Sequence, residues 1–162
     1  MFSPALLPLA KTVLDAARAK GLRLVTAESC TGGLIAGLLT EIPGSSDVLE
    51  RGLVTYSNAS KEELLGVPHA LIVKYGAVSE AVARAMAEGA AAKSGAHLSL
   101  AVTGIAGPGG GTKAKPVGLV HMAACLKGGP TLHEERRFGD IGRTQVRLKT
   151  VEAALTLLQE LL

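Results

Sequence analysis

The spacing of apolar residues along the chain switches repeatedly between a helical period and a strand period. Over residues 4–20 apolar side chains recur every three or four positions, and Gly21 follows as a helix stop, which predicts a first helix. Short aliphatic and β-branched runs predict strands at residues 22–26, 52–56, 98–103, 118–126 and 131–138. Further helices are predicted at residues 34–40, 47–50, 61–65, 69–75, 80–94 and 143–162.

This alternation of strands and helices predicts the fold class. We expect one domain over residues 1–162, a three-layer α/β/α sandwich with a central, mainly parallel or mixed sheet. The many charges in residues 131–138 indicate an edge strand. Ligands bind at the carboxyl ends of the strands in such sheets. The loops that hold Ser29, Asn58 and Gly104 follow predicted strands, so they are candidate ligand-binding loops.

The composition narrows the possible partners. Hydrophobic residues make up 48% of the chain but aromatic residues only 2%, the seventeen basic residues are scattered, and the net charge is +3. Proteins that bind single-stranded nucleic acid usually combine a basic face with aromatic platforms. We therefore predict no nucleic-acid partner, whereas a small positive charge suits a small anionic ligand.

Two observations bear on the cell compartment. No apolar run approaches the ~20 residues of a membrane span, and the segment through Lys20 is unlike a signal peptide, so no membrane partner is expected. Cys30 and Cys125 lie far apart, and a chain of this length folds without a disulfide, which favours reduced thiols. Both observations predict a cytoplasmic protein.

The segment AESCTGG contains the first candidate for catalysis. Ser29 lies where a predicted strand enters a helix whose first N–H groups lack internal partners, and Gly32 and Gly33 allow a substrate close to the backbone. Those N–H groups could hold a phosphate or an oxyanion. The alternative is that Ser29 or Thr31 simply caps the helix.

A serine nucleophile needs a base, and Lys61 is the candidate. At the start of a predicted helix, its charge is opposed by the helix dipole, but the dipole supplies only ~0.3 to 1 kcal/mol of the about 4 kcal/mol that a pKa near 7 to 8 requires. Burial must supply the rest. The alternative is a solvated lysine that pairs with Glu62 or Glu63. Tyr56 could relay a proton or stack on a ligand ring, or it could be a buried packing residue.

Other candidates are less specific. The segment TGIAGPGGG, residues 103–111, could form an anion nest or could be a flexible connection between strands. Arg143 and Arg147 are possible phosphate clamps or ordinary surface residues. We expect a structural or exposed role for each histidine, and Cys30 ranks below Ser29 as a nucleophile. Because no metal-ligand spacing occurs, we predict no metal site and no cofactor.

Together these motifs resemble the CinA C-terminal domain family. The resemblance covers nearly the whole chain and rests on six segments in the family's order: AESCTGG from Ala27, PGSS from Pro43, YSNASK from Tyr56, GAVSE from Gly76, TGIAGPGGG from Thr103 and KPVG from Lys115. The family commonly has Gly-Asp-Arg before its last helix. Here Arg143 matches the arginine, but Gly142 precedes it, and the nearest aspartate, Asp140, lies earlier.

The characterised enzymes of this family are nicotinamide-nucleotide amidases. The resemblance implies hydrolysis of the carboxamide of nicotinamide mononucleotide to nicotinic acid mononucleotide and ammonia, with Ser29 as nucleophile and Lys61 as base. It implies that Tyr56 assists proton transfer or holds the ring. It also implies a homodimer. The remaining implied substrate-binding residues are Thr31, Gly32, Gly33, Asn58, Thr103, Gly104, Gly107 and Arg143.

Two other functions fit the same sequence. One is a catalytically silent nucleotide-binding module that serves as an interaction partner, which would need the glycine loops but not the trio of Ser29, Tyr56 and Lys61. The other is an amidase that acts on a different pyridine or amide substrate.

Overall fold

A computed structural model describes residues 2–162 and contains one mixed sheet between two layers of helices. The strands are β1 (Leu24–Glu28), β2 (Leu49–Val54), β3 (Leu98–Gly104), β4 (Leu119–Leu126) and β5 (Thr131–Arg137). The helices are α1 (Leu6–Ala19), α2 (Leu34–Thr40), α3 (Asn58–Leu65), α4 (His69–Tyr75), α5 (Glu80–Ala92) and α6 (Arg143–Gln159). A short 3₁₀ helix covers Ser45–Asp47.

The strand order is β2-β1-β3-β4-β5. The first three strands in this order are parallel to one another, and β4 and β5 are antiparallel to their neighbours. The predicted mixed α/β sandwich and the edge position of the charged strand β5 are therefore confirmed. Because β1, β2 and β3 run in the same direction, the loops that follow them meet at one edge of the sheet.

Each face of the sheet carries its own apolar core. Residues of α1, α2 and α6 pack on one face, where Leu14, Leu38 and Leu155 are fully buried. Residues of α5, together with Leu65 of α3 and Ile72 of α4, pack on the other face around Met86. No helix among residues 2–162 is both long enough and apolar enough to cross a membrane.

Several predicted boundaries are wrong by a few residues. Strand β1 extends to Glu28. The helix predicted at residues 47–50 is absent, because a 3₁₀ helix ends at Asp47 and β2 begins at Leu49. The polar residues at positions 47–50 resemble a helix start. Strand β2 forms there because it pairs with β1, and a local sequence pattern contains no information about that pairing.

Helix α3 also starts earlier than predicted. It begins at Asn58, and its N-cap is Ser57, whose side chain accepts a hydrogen bond from the Ser60 amide. Lys61 is consequently the fourth residue of the helix. The helix dipole acts most strongly within the first turn, so burial becomes the main influence on Lys61.

Candidate active site

Ser29 lies in the turn between β1 and α2, at the sheet edge where the parallel strands end. Its amide donates to the Val102 carbonyl at 3.0 Å, and its own carbonyl accepts from the Gly32 amide at 3.1 Å. The residue is 9% exposed. The turn therefore fixes Ser29 at both ends of its backbone while its side chain keeps access to a cavity.

Lys61 reaches Ser29 from α3 and is the largest fully buried side chain. Its Nζ lies 3.1 Å from Ser29 Oγ. The same nitrogen donates to the backbone carbonyls of Thr55 at 2.8 Å and Tyr56 at 3.3 Å. The interpretation of Lys61 as a solvated residue paired with a neighbouring glutamate is therefore wrong.

The surroundings of Lys61 favour its neutral amine. Burial lowers the pKa of Lys61 below its usual value. None of the ion pairs within residues 2–162 includes Lys61. A neutral amine has two N–H donors and one lone pair. When the amine is neutral, its two donors can bind the two carbonyls and its lone pair can accept the hydroxyl proton of Ser29.

Glu28 accepts hydrogen bonds from the N–H groups at the start of α2. Its buried carboxylate accepts hydrogen bonds from the amides of Gly33 at 3.1 Å, Ile35 at 3.0 Å and Ala36 at 2.9 Å, and from the Thr31 hydroxyl at 2.6 Å. The prediction that these N–H groups are available for an anion or oxyanion is therefore wrong. A negative charge at a helix N-terminus also stabilises the helix.

A cavity of about 220 Å³ opens in front of Ser29 and Lys61. This volume is below the ~300 Å³ of a typical drug-sized site, so it suits a single ring with a small substituent. Eleven residues line it: Ser29, Cys30, Tyr56, Asn58, Lys61, Ala77, Val78, Thr103, Gly104, Ala106 and Arg143.

Arg143, the first residue of α6, bridges the mouth of the cavity. It donates to the Gly107 carbonyl at 2.8 Å and to the Tyr56 hydroxyl at 3.2 Å. Tyr56 is 62% exposed, so the packing interpretation of this tyrosine is wrong. The guanidinium and the phenol together form a polar rim outside the Ser29 and Lys61 pair.

The structure brings together seven of the eleven predicted site residues: Ser29, Tyr56, Asn58, Lys61, Thr103, Gly104 and Arg143. Thr31, Gly32, Gly33 and Gly107 do not line the cavity. Gly32 and Gly33 instead supply the left-handed backbone that the turn needs. The Thr103 hydroxyl donates a hydrogen bond to the Ala77 carbonyl, and this contact joins β3 to the loop before α5.

Sequence reasoning missed four parts of the cavity wall. Ala77, Val78 and Ala106 carry no chemical signal, and only the meeting of their loops at one sheet edge places them here. Cys30 also lines the wall. Burial raises the pKa of its thiol to about 12, which keeps it protonated and supports its ranking below Ser29 as a nucleophile.

Two other predicted groups lie elsewhere. Arg147 donates to the carbonyls of Cys30 and Thr31 behind the Ser29 turn and does not line the cavity. His121 and His133 stack on each other across β4 and β5, outside the cavity wall. Within residues 2–162, no group of three or more potential ligands is arranged to hold a metal ion.

Comparison with known proteins agrees with this architecture. Residues 6–162 match the family model described as the CinA C-terminal domain. The chain belongs to the CinA C-terminal domain family. This confirms the resemblance seen in the sequence motifs. The CinA domain is 52% identical over 134 residues to a CinA-like protein of Akkermansia muciniphila, covering 83% of this chain and 32% of that protein.

A CinA-like protein of Synechococcus is 51% identical over 152 residues, covering 93% of this chain and 36% of its own length. The chain thus spans about a third of the length of these curated relatives. Solved structures match over nearly their whole length. The competence/damage inducible protein CihA from Agrobacterium tumefaciens has a TM-score of 0.97 at 52% identity, covering 99% of this chain and 98% of that one.

A CinA superfamily protein from Escherichia coli has a TM-score of 0.92 at 34% identity, covering 100% of this chain and 94% of that one. The fold around the cavity is therefore a CinA fold.

Proposed function

We propose that this CinA domain is an amidohydrolase that deamidates nicotinamide mononucleotide to nicotinic acid mononucleotide and ammonia. The observation that carries the proposal is the buried Lys61 amine, whose two N–H donors can be taken by backbone carbonyls while its lone pair faces Ser29 Oγ. This is the geometry that a general base needs, within hydrogen-bond reach of the proton it removes.

The proposed reaction has two half-steps. Ser29 Oγ attacks the carboxamide carbon while its proton passes to Lys61 Nζ, and the tetrahedral intermediate expels ammonia after Lys61 returns that proton to the leaving nitrogen. An ester of the pyridine carboxylate remains on Ser29. Water then attacks the ester, its proton passes through Lys61 to the departing Ser29 oxygen, and the free carboxylate is released. One water is consumed for each ammonia formed.

The shape and charge of the cavity support a pyridine nucleotide. About 220 Å³ suits the nicotinamide ring with its amide group, and the ribose and phosphate would extend through the mouth. There the Arg143 guanidinium can bind phosphate. The exposed ring of Tyr56 can lie against the positively charged pyridinium ring, which aromatic faces attract. The same positive ring withdraws electrons from the amide and makes its carbon easier to attack.

A silent nucleotide-binding module explains Lys61 poorly. Burial of a lysine amine disfavours its charged form and lowers stability unless a carboxylate compensates. The ion pairs described for residues 2–162 give Lys61 no such partner. A binding module would gain nothing from this arrangement, whereas an amidase uses it.

We also propose a homodimer and a cytoplasmic location for this CinA protein.

The test is ammonia release from nicotinamide mononucleotide, with the product identified by mass. We expect turnover by the wild type and a loss of at least about a hundredfold in Ser29→Ala and Lys61→Met, because each removes one member of a unit that acts together. Asp47→Asn, an exposed change outside the cavity, is the control and should keep full activity. An inactive wild type contradicts the proposed substrate, and an active Ser29→Ala variant contradicts the mechanism.

The pH dependence of turnover tests the base separately. Lys61 acts when unprotonated, and burial lowers its pKa, so kcat should rise with pH and level off below the ~10.4 of an ordinary lysine. A rate that still rises steeply through pH 10 would show that Lys61 keeps an ordinary pKa. A rate that falls over the same range would exclude a lysine base.

A further inference from the structure

Arg147 contacts the backbone of the Ser29 turn and does not line the cavity. It lies one helical turn after Arg143 on α6, so the two side chains leave the same face of the helix. Arg143 reaches the cavity mouth, but Arg147 donates from Nε to the Cys30 carbonyl at 3.1 Å and from Nη2 to the Thr31 carbonyl at 2.9 Å. Both donors are thus used on the backbone that directly follows the nucleophile.

These contacts extend to Ser29 itself. A trans peptide is planar, so the N–H of Gly32 points away from the Thr31 carbonyl that Arg147 holds. That Gly32 N–H donates to the Ser29 carbonyl at 3.1 Å. The guanidinium, the Thr31–Gly32 peptide and the Ser29 carbonyl therefore form one continuous hydrogen-bonded chain. Each bond in such a chain polarises and strengthens the next.

The charge of Arg147 is not neutralised by an acid. None of the ion pairs formed within the described chain, residues 2–162, includes Arg147. The charge of Arg147 acts on Cys30, the residue next to the nucleophile. Burial raises the pKa of the Cys30 thiol, and the positive charge of Arg147 opposes that rise. A guanidinium holds several N–H donors in one rigid plane and orients two carbonyls from two different nitrogens, whereas a lysine offers a single rotatable nitrogen.

We propose that Arg147 is a positioning residue that holds the Ser29 turn in its reactive conformation and does not bind substrate phosphate. The inference rests on the proposed function only in taking Ser29 as the nucleophile. Loss of Arg147 would let the turn shift, and a displacement of about 1 Å in a reacting group can cost a hundredfold in rate. The effect would fall on the reactivity of Ser29 and leave substrate affinity nearly unchanged.

The experiment measures Ser29 reactivity with a probe that carries no phosphate anion. A small, uncharged dialkyl fluorophosphate reacts with an activated serine: the Oγ–phosphorus bond forms, the phosphorus–fluorine bond breaks, fluoride leaves and Lys61 takes the hydroxyl proton. We would compare wild type, Arg147→Met, Arg147→Lys, Arg147→Ala with and without added ethylguanidinium, and the exposed control Lys149→Met, with the labelled residue identified by peptide mass. Melting temperatures and kcat and KM for nicotinamide mononucleotide would be measured on the same samples.

We expect Arg147→Met to label Ser29 about tenfold to a hundredfold more slowly than wild type, with a matching fall in kcat and an unchanged KM. Arg147→Lys should lie between them, and Lys149→Met should match wild type. Ethylguanidinium should restore labelling of Arg147→Ala without raising its melting temperature. If Arg147→Met does not fold, the lysine variant and the rescue experiment carry the test.

Two results would overturn the inference. One is labelling of Arg147→Met or Arg147→Lys at the wild-type rate. The other is a raised KM with unchanged kcat and unchanged labelling, which would make Arg147 a substrate-binding group. Labelling of wild-type Ser29 without any ammonia release would overturn the proposed substrate and leave the inference about Arg147 standing. A wild-type Ser29 that resists the probe would overturn both.

Discussion

Lys61 makes the stability of the protein depend on pH in a way that a substitution can isolate. In the unfolded chain a lysine has a pKa of ~10.4, and in the folded protein burial lowers it. Between these two values the unfolded state binds more protons, so raising the pH favours the folded state. The stability that burial of Lys61 costs at neutral pH is regained as the pH rises towards ~10.4.

Lys61→Met removes this contribution while it keeps a long side chain in the same space. The free energy of unfolding of wild type, relative to the variant, should therefore increase with pH. Each unit by which the pKa is lowered contributes about 1.4 kcal/mol to this increase, and the slope cannot exceed about 1.4 kcal/mol per pH unit. In the folded wild type the Cys30 thiol stays protonated up to pH 10, because burial raises its pKa to about 12, and loss of the Lys61 charge would raise it further, so its contribution cancels in the difference.

The assay is urea unfolding of wild type, Lys61→Met and the exposed control Lys149→Met at several pH values from 6 to 10. The control should follow wild type with a constant difference, because its lysine is exposed. A constant difference for Lys61→Met as well would refute the reasoning, since the folded and unfolded states would then bind the Lys61 proton equally. Lys61 would then be an ammonium at neutral pH and could not serve as the base.

Three further changes test other parts of the structure. Glu28→Gln should destabilise the protein by about 1–3 kcal/mol in urea unfolding, because an amide must turn its NH₂ group towards at least one backbone N–H that now donates to the carboxylate; wild-type stability would contradict this. Gly89→Ala should lower the free energy of unfolding by about 1–3 kcal/mol or more, since its Cβ would lie 1.9 Å from a backbone oxygen of α3. The control Gly95→Ala, with open space around it, should be neutral or slightly stabilising. Equal effects of the two substitutions on stability would contradict this packing. Tyr56→Phe removes the hydroxyl that accepts from Arg143 and should change kcat for nicotinamide mononucleotide by less than about tenfold if the ring supplies the main contact; a larger loss would assign the hydroxyl a role in proton transfer.

Local patterns in the sequence predicted most of the elements because their periods are properties of short segments. The long helix α5, the buried strand β3 and the charged edge strand β5 are examples. The boundaries that failed belong to β2 and α3. Pairing with β1 decides where β2 begins, and the Ser57 cap decides where α3 begins. The first depends on a contact between distant segments that a local window does not contain, whereas the second is a contact over three residues that the local sequence offered.

Part of the candidate site could likewise be predicted from local sequence, and part of it could not. The turn at Ser29 was visible as a strand-to-helix junction, and parallel strands predicted that its loop would meet the loop holding Asn58. The place of Lys61 at a predicted helix start made it a candidate base for Ser29, but only the family resemblance favoured it over the solvated alternative, because nothing local distinguishes a buried lysine from a solvated one.

The role of Glu28 was missed although a signal existed. An acidic residue stood at the end of a buried strand, immediately before a helix start. Its side chain folds forward over the turn and occupies the α2 donors that had been assigned to substrate. Thr31 and Gly33 both donate to this carboxylate, and neither lines the cavity.

The most direct test of the account is to trap the covalent intermediate on Ser29. Wild-type protein mixed with nicotinamide mononucleotide would be quenched in acid within one turnover, digested and mapped by mass. We expect the nicotinic acid mononucleotide acyl group as an ester on the peptide that contains Ser29, and no such group on the same peptide of Ser29→Ala. Ammonia release by wild type with no acyl group on Ser29, or with the group on another residue, would contradict it.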